Sequence, residues 1–313
     1  MDLLFCMPGY EARSWLEAFQ RALPEAQCRV WQPNDHAPAH YAAVWKPPAE
    51  ALRGRAGLKA VFNLGAGVDA ILDMVRREPD ALAESVPLIR LEDAGMAEQM
   101  VEYVMYAALR YMRRFDEYER QRAAGRWAPL KARRPGDFPI AVLGLGQLGS
   151  AVAVALANAG FPVSGWSRTA KQLEGVRTFA GDDTISACIQ GAKMLVNLLP
   201  STPSTRGLIG KRILGGLADG AYLVNVARGT HVVESDLIDA ISRGKLAGAM
   251  LDVFGEEPLP ANHAFWREPR ISITPHVSAL TLLDESVEQI AEKIRAMERG
   301  ETVGGIVDRV RGY

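Results

Sequence analysis

Three charged residues in the last third of the chain could together reduce a carbonyl group. Arg228, Glu257 and His276 each follow a short apolar run of the kind that forms a buried strand. Hydride addition to a carbonyl carbon produces an alkoxide that needs a proton, and histidine is the side chain whose ordinary pKa lies near neutrality. We therefore predict that His276 donates this proton and that Glu257 stabilises the imidazolium by a hydrogen bond. Arg228 is predicted to orient an acid substrate and to stabilise the developing oxyanion.

Taken one at a time, each of these residues could have a simpler structural role. Arg228 could stabilise a strand–helix loop, Glu257 could be a solvated turn residue, and His276 could be a core histidine with satisfied hydrogen bonds. Their occurrence together with a nucleotide-binding pattern favours a catalytic interpretation.

That nucleotide-binding pattern is a glycine turn in the middle of the chain. Gly144, Gly146 and Gly149 form G-x-G-x-x-G directly after a four-residue apolar run, and a helical pattern begins at Gln147. The first glycine permits a tight turn, the second lets the backbone approach a pyrophosphate, and the third lets the helix pack on the strand. The first N–H groups of the helix, including those of Gln147 and Leu148, are then predicted to face the phosphates.

The end of the next apolar run indicates which dinucleotide is bound. An NAD site usually has an acidic residue there for the ribose 2′-hydroxyl, but this sequence has Ser167, Arg168 and Thr169. The guanidinium of Arg168 is suited to a 2′-phosphate, and the two hydroxyls could add hydrogen bonds. The alternative is that Arg168 is an ordinary surface arginine. We predict NADPH/NADP as the cofactor.

A second glycine-containing loop, Asn63–Asp69, lies between an apolar run and a helical pattern in the first third of the chain. Consecutive N–H groups in such a loop can bind an anion, so this loop is a candidate site for a substrate carboxylate. Its spacing is equally consistent with a plain strand–helix turn.

Strand and helix patterns alternate in two series, and 313 residues are more than one core usually holds. The prediction is therefore an α/β protein of two domains, each with a parallel sheet. A long amphipathic helix is predicted from about Ala97 to Ala124 as a bridge between the two series, and a last helix from about Leu282 to Glu298.

The composition argues against several classes of protein. A formal net charge of −1 gives no general attraction to nucleic acid or to an anionic membrane, so a small-molecule partner is favoured. The three widely spaced cysteines fit neither a zinc site nor a disulfide framework, so we expect no metal and a reducing compartment. The uncharged stretch 139–167 contains repeated glycines, which indicate strand, turn, helix and strand rather than a membrane span. The first residues lack a secretory signal, so the expected location is the cytoplasm.

The glycine turn and the segments at 224–229, 251–258 and 274–276 together resemble the D-isomer-specific 2-hydroxyacid dehydrogenases, and they occur in that family's order. The resemblance covers essentially the whole chain. It implies a Rossmann-type doubly wound nucleotide domain, residues 98–277, inserted into a flavodoxin-like parallel α/β substrate domain, residues 1–97 plus 278–313.

The resemblance also implies roles for individual residues. His276 is then the proton donor, and Ala66 and Gly67 hold the substrate carboxylate through their N–H groups. Trp45 closes a small substrate pocket, although it could instead be a core tryptophan. Four further residues line the cofactor: Leu199, Pro200, Val226 and Asp252. Family members are usually homodimers, and Trp127 could reach toward the partner.

The activity implied is NADPH-dependent reduction of a short 2-oxo acid, either glyoxylate or hydroxypyruvate. Two alternatives stay open at this point. One is a related dehydrogenase for bulkier 2-oxo acids such as phenylpyruvate. The other is a dinucleotide-sensing binding protein of the corepressor type, although the sequence has no long disordered tail or basic arm for partners.

Overall fold

A computed structural model describes all residues, 1–313, and the chain divides into two compact units. The first unit comprises Met1–Gly95 and Thr281–Tyr313, and the second comprises Met96–Leu280. The second unit is therefore inserted in the sequence of the first.

The first unit is a five-stranded parallel sheet with helices. Its strands are β1 (Asp2–Cys6), β2 (Gln27–Val30), β3 (Tyr41–Val44), β4 (Ala60–Asn63) and β5 (Leu88–Arg90), in the order β2-β1-β3-β4-β5. Its helices are α1 (Arg13–Ala22), α2 (Asp69–Arg77) and the C-terminal helix Leu283–Glu298. This strand order is that of flavodoxin-like folds, as predicted.

The second unit is a seven-stranded parallel sheet. Its strands are β6 (Ile140–Leu143), β7 (Val163–Ser167), β8 (Val176–Ala180), β9 (Met194–Asn197), β10 (Ala221–Asn225), β11 (Leu246–Leu251) and β12 (Ile271–Ile273). Its helices are α3 (Met96–Met112), α4 (Phe115–Ala123), α5 (Gln147–Asn158), α6 (Ile185–Ile189), α7 (Lys211–Gly216) and α8 (Glu234–Ser242), so the C-terminal helix is α9. Six short 3₁₀ segments complete the elements: Ala49–Ala51, Pro79–Ala81, Pro135–Asp137, Asp182–Thr184, Gly229–His231 and Ala264–Arg267.

The strand order in the second unit is β12-β11-β10-β9-β6-β7-β8. The chain moves outward from β6 in one direction through β7 and β8, and then returns to build β9 to β12 on the other side. Ligands of open α/β sheets bind at such a reversal, outside the carboxyl ends of the strands. The predicted doubly wound fold is confirmed, and the reversal lies between β6 and β9.

The central strands of both sheets are buried along their whole length, which is why their sequences are continuous apolar runs. Every residue of β3, β4, β6, β9 and β10 is buried. Strands covered on both faces show no alternation of polar and apolar residues. Strands β4, β9 and β10 each end on a buried asparagine, and the contacts of these asparagines are described below.

The prediction of one helix from Ala97 to Ala124 is wrong, because the segment forms two helices. Arg114 adopts a left-handed backbone conformation (φ 64°) between α3 and α4. Its guanidinium donates two hydrogen bonds of 2.7 Å to Glu117. Asp116 is buried and accepts a hydrogen bond from the Tyr222 hydroxyl. These tertiary contacts hold the break, which the apolar spacing does not reveal.

Strand β8 is absent from the sequence-based prediction. It is an edge strand whose five residues are partly or fully exposed, so it lacks the apolar run that marks the other strands.

None of the helices combines the length and apolar character needed to cross a membrane. All three cysteines are free thiols, and Trp127 is fully exposed.

Candidate active site

The carboxyl edge of the second unit's sheet gathers most of the predicted site residues. Because all its strands are parallel, the segments that follow them emerge at the same edge. The glycine turn follows β6, Leu199 and Pro200 follow β9, and Val226 and Arg228 follow β10. Asp252 follows β11, and His276 follows β12.

The glycine turn has the geometry of a dinucleotide-binding loop. Gly144 has φ 98°, and a Cβ there would lie 2.6 Å from the Leu198 carbonyl oxygen. A Cβ on Gly149 would collide with the carbonyl oxygen of Gly144, so this glycine permits the close approach of helix and strand. By contrast, a Cβ on Gly146 would meet no heavy atom within 4 Å, so the space beside its backbone is open.

Helix α5 starts at this turn, at Gln147, and no side chain caps its N-terminus. The first N–H groups of an uncapped helix carry a partial positive charge and bind anions. The turn and the helix start therefore fit the pyrophosphate of a dinucleotide.

Residues 167–169, at the end of β7, carry one charged group and two hydroxyls. Arg168 and Thr169 are exposed, whereas Ser167 is buried at the end of the strand. The Ser167 hydroxyl donates a 2.8 Å hydrogen bond to the Thr169 carbonyl. The hydroxyl proton of Ser167 is therefore used in a hydrogen bond within the loop. Arg168 is the residue of these three whose charge can distinguish a 2′-phosphate from a 2′-hydroxyl.

His276 and Glu257 form a hydrogen-bonded pair. The His276 Nδ1 atom lies 2.8 Å from Glu257 Oε2, while Glu257 Oε1 accepts a 3.0 Å hydrogen bond from the Phe254 N–H. Burial raises the pKa of Glu257, but the hydrogen bonds from His276 and Phe254 and the charge of Arg228 outweigh it and lower the pKa on balance. Glu257 is therefore a carboxylate at neutral pH, so Nδ1 carries a hydrogen and Nε2 is the ring nitrogen left for chemistry. The His276 side chain is 43% exposed.

Arg228 is held close to this pair by the loop after β10. It is half-buried, and its Nη1 donates a 2.7 Å hydrogen bond to the Ala227 carbonyl. The next residue is Gly229, where a Cβ would collide with the backbone of Phe254. This close contact places the Arg228 loop against the segment that leads to Glu257, and it requires a glycine at position 229.

The loop of the first unit presents two N–H groups. The Asn63 side-chain amide donates hydrogen bonds of 2.9 Å to the carbonyls of Gly65 and Gly67. The N–H groups of Ala66 and Gly67 have no hydrogen bond within the protein. A partly buried Trp45 packs its ring on the loop, since a Cβ on Gly65 would lie 2.5 Å from that ring. The Asn63 side chain thus stabilises the loop from within, and the N–H groups of Ala66 and Gly67 are two adjacent donors for an anion.

Comparison with known proteins shows to which family this chain belongs. A model of the D-isomer specific 2-hydroxyacid dehydrogenases, covering their NAD binding domain, matches residues 105–278. The chain belongs to this family. It is accordingly an oxidoreductase, as the sequence predicts.

Relatives of this dehydrogenase are similar over the whole chain. Proteins named glyoxylate/hydroxypyruvate reductase A from Serratia proteamaculans and Escherichia fergusonii are 50% and 51% identical over 313 residues, with 100% of each chain covered. A crystal structure of a D-isomer specific 2-hydroxyacid dehydrogenase from Xanthobacter autotrophicus Py2, in complex with NADPH and MES, has a TM-score of 0.94 at 39% identity. The alignment covers 100% of this chain and 99% of that one.

A second solved structure is the NADPH-dependent glyoxylate/hydroxypyruvate reductase from Sinorhizobium meliloti, in complex with NADP and sulfate. Its TM-score is 0.92 at 31% identity, and the alignment covers 100% of this chain and 99% of that one. The predicted family is confirmed, and the chain is similar over its full length to proteins named glyoxylate/hydroxypyruvate reductase A.

Sequence reasoning missed a buried polar cluster in this dehydrogenase. Asn197, Asn225 and His231 are fully buried. The Asn197 amide lies 2.9 Å from both Asn225 Oδ1 and His231 Nδ1, and Asn225 donates a 3.0 Å hydrogen bond to the Arg228 carbonyl. The Leu199 N–H also bonds to Asn197. The cluster therefore fixes the two loops after β9 and β10, and the signal for it was an asparagine ending each of two apolar runs.

Proposed function

We propose that this dehydrogenase uses NADPH to reduce glyoxylate to glycolate and hydroxypyruvate to D-glycerate. One observation carries the proposal: the His276–Glu257 pair and Arg228 lie at the sheet edge that also bears the glycine turn. The substrates are supported by the names of the full-length relatives, and the cofactor by Arg168 and by the NADPH and NADP in similar structures.

In this proposal residues 98–277 bind the cofactor and residues 1–97 with 278–313 bind the substrate. The N–H groups at the start of α5, after Gly146, hold the pyrophosphate, and Arg168 pairs with the 2′-phosphate. Leu199, Pro200 and Val226 line the cofactor from the neighbouring strand ends. The N–H groups of Ala66 and Gly67 bind the substrate carboxylate.

The chemistry then divides between the cofactor and the protein. The reduced nicotinamide, when bound, supplies the hydride that adds to the carbonyl carbon. His276 donates the proton on Nε2 to the oxygen that becomes the hydroxyl, so the C=O bond is reduced to CH–OH. Glu257 holds the Nδ1 hydrogen and with it the ring orientation. Arg228 stabilises the negative charge that develops on the oxygen before the proton arrives.

Steady-state kinetics on a panel of 2-oxo acids tests this function. We expect NADPH-dependent turnover of glyoxylate and hydroxypyruvate, because the family resemblance implies a small substrate pocket closed by Trp45, which would favour short substrates. A kcat/KM far higher for phenylpyruvate would instead assign the enzyme to bulkier acids. Tight nucleotide binding without turnover of any 2-oxo acid would favour the corepressor-type alternative.

Replacement of Arg168 by glutamine is expected to reduce kcat/KM for NADPH about 10- to 100-fold, the value of a charge-assisted hydrogen bond. The value for NADH should change little, because NADH has no 2′-phosphate. The matched control is Arg177→Gln. Arg177 is an exposed arginine on the neighbouring strand β8, where its backbone lies opposite Ser164 of β7. Equal losses with both cofactors would contradict the proposed role of Arg168.

The family resemblance also implies a homodimer and a cytoplasmic location, and we include both in the proposal. Light scattering tests the first against the 34.1 kDa mass of one chain, and cell fractionation tests the second.

A further inference from the structure

The backbone around His276 is held by a single buried aspartate. Asp252 is fully buried, and its carbonyl oxygen accepts a 2.8 Å hydrogen bond from the His276 N–H. Its Oδ1 accepts a 2.8 Å bond from the Val277 N–H, and its Oδ2 a 2.8 Å bond from the Ser278 N–H. One residue therefore binds three successive N–H groups of the loop that carries the proton donor.

This support is needed because His276 has a strained backbone. Its φ of 57° lies in the left-handed region, which residues other than glycine rarely adopt because the Cβ crowds the following carbonyl oxygen. Such a conformation persists only where the surroundings impose it. The three hydrogen bonds to Asp252 support this conformation, so the direction of the imidazole depends on the position of that residue.

Asp252 is in turn positioned by two hydroxyls in series. The Thr274 hydroxyl donates a 2.6 Å hydrogen bond to Asp252 Oδ1, and it lies 2.6 Å from the Tyr103 hydroxyl. A threonine hydroxyl has one hydrogen, and here it goes to the carboxylate, so the second bond must be donated by Tyr103. Burial raises the pKa of Tyr103 to about 12, with the nearby charge of Asp252 acting in the same direction, so the phenol keeps the hydrogen that it donates.

We propose that Thr274 and Tyr103 are positioning residues for the reduction, acting through Asp252 on the loop of His276. Tyr103 lies on α3 and Thr274 directly after β12, so the chain of hydrogen bonds links a helix to the loop of the proton donor. Neither hydroxyl is needed by the reaction itself. This inference rests on the proposed function of His276 as proton donor.

The main variant is Thr274→Val, which removes both hydrogen bonds of the hydroxyl and keeps the shape of the side chain. We expect kcat for glyoxylate to fall about 10- to 100-fold, because a hydrogen bond to a carboxylate is lost next to the catalytic loop. KM for NADPH should change less than about twofold, because the glycine turn and Arg168 are untouched and Asp252 is itself fully buried. Thr274→Ser keeps the hydroxyl and should restore kcat.

Tyr103→Phe removes only the far end of the hydrogen-bond chain and should lower kcat about 3- to 10-fold, with the melting temperature as a check that the protein remains folded. Its control is Tyr106→Phe, an exposed tyrosine on the same helix. If both variants at Thr274 and Tyr103 keep the kcat of the parent protein, the positioning role is wrong. It is also wrong if Thr274→Ser fails to restore kcat, or if kcat and KM for NADPH change together.

Combination with His276→Ala separates this inference from the proposed function. If Thr274 acts through His276, Thr274→Val should cause no further loss of kcat in a protein that already lacks the imidazole. A full additional loss there would overturn the positioning role while leaving His276 as the donor. A His276→Ala protein with full kcat would instead overturn the proposed function itself.

Discussion

Replacement of His276 by alanine is expected to lower kcat for glyoxylate about 10²- to 10⁴-fold, the usual contribution of a general acid. Glu257 is held as a carboxylate by its hydrogen bonds and by the nearby Arg228, so the imidazole is the group of the pair that is proposed to donate the proton. Binding of NADPH, measured by fluorescence titration, should remain unchanged, since the imidazole is not part of the glycine turn.

The matched control is His40→Ala. His40 Nδ1 lies 3.0 Å from Asp2 Oδ2, so this histidine also contacts a carboxylate, but it belongs to the first unit and has no proposed role. Its removal should leave kcat within about twofold of the parent. An equal loss in both variants would mean that the effect is structural, and full kcat without His276 would reject the proton-donor assignment.

Arg228 is expected to give the second large effect. Replacement by methionine should lower kcat/KM about 10²- to 10³-fold, because a preorganised donor to the developing oxyanion is lost. Lysine keeps the charge but not the planar fork, so Arg228→Lys should recover only part of the loss. The control is Arg243→Met. Arg243 is an exposed arginine directly after α8, and it forms an ion pair with Asp239 of that helix.

The pH profile adds an independent readout for the same residue. The charge of Arg228 is one cause that lowers the pKa of Glu257, so that carboxylate should protonate at a higher pH without it. The acidic limb of the kcat/KM profile should therefore move to higher pH in Arg228→Met and less in Arg228→Lys. Identical profiles for the two variants would show that Arg228 does not act on Glu257 through its charge.

The sequence by itself was sufficient for the fold class, the family and the class of reaction. A parallel sheet buried on both faces produces continuous apolar runs, and three glycines at this spacing between a strand and a helix are typical of a dinucleotide-binding turn. Polar residues placed after those runs must then emerge at one edge of the sheet. This reasoning yielded the candidate residues Arg228, Glu257 and His276, whose roles are now predictions to be measured.

The tertiary structure alone decided which residues support those candidates. The break at Arg114 is held by Glu117 and by Tyr222, which is distant in sequence, so the spacing of apolar residues could not locate it. Likewise, no local pattern connects Tyr103 with Thr274, because 171 positions separate them until the sheet brings them within 2.6 Å. Periodicity reports what a residue does within its own element, whereas hydrogen bonds between elements depend on how the chain has folded.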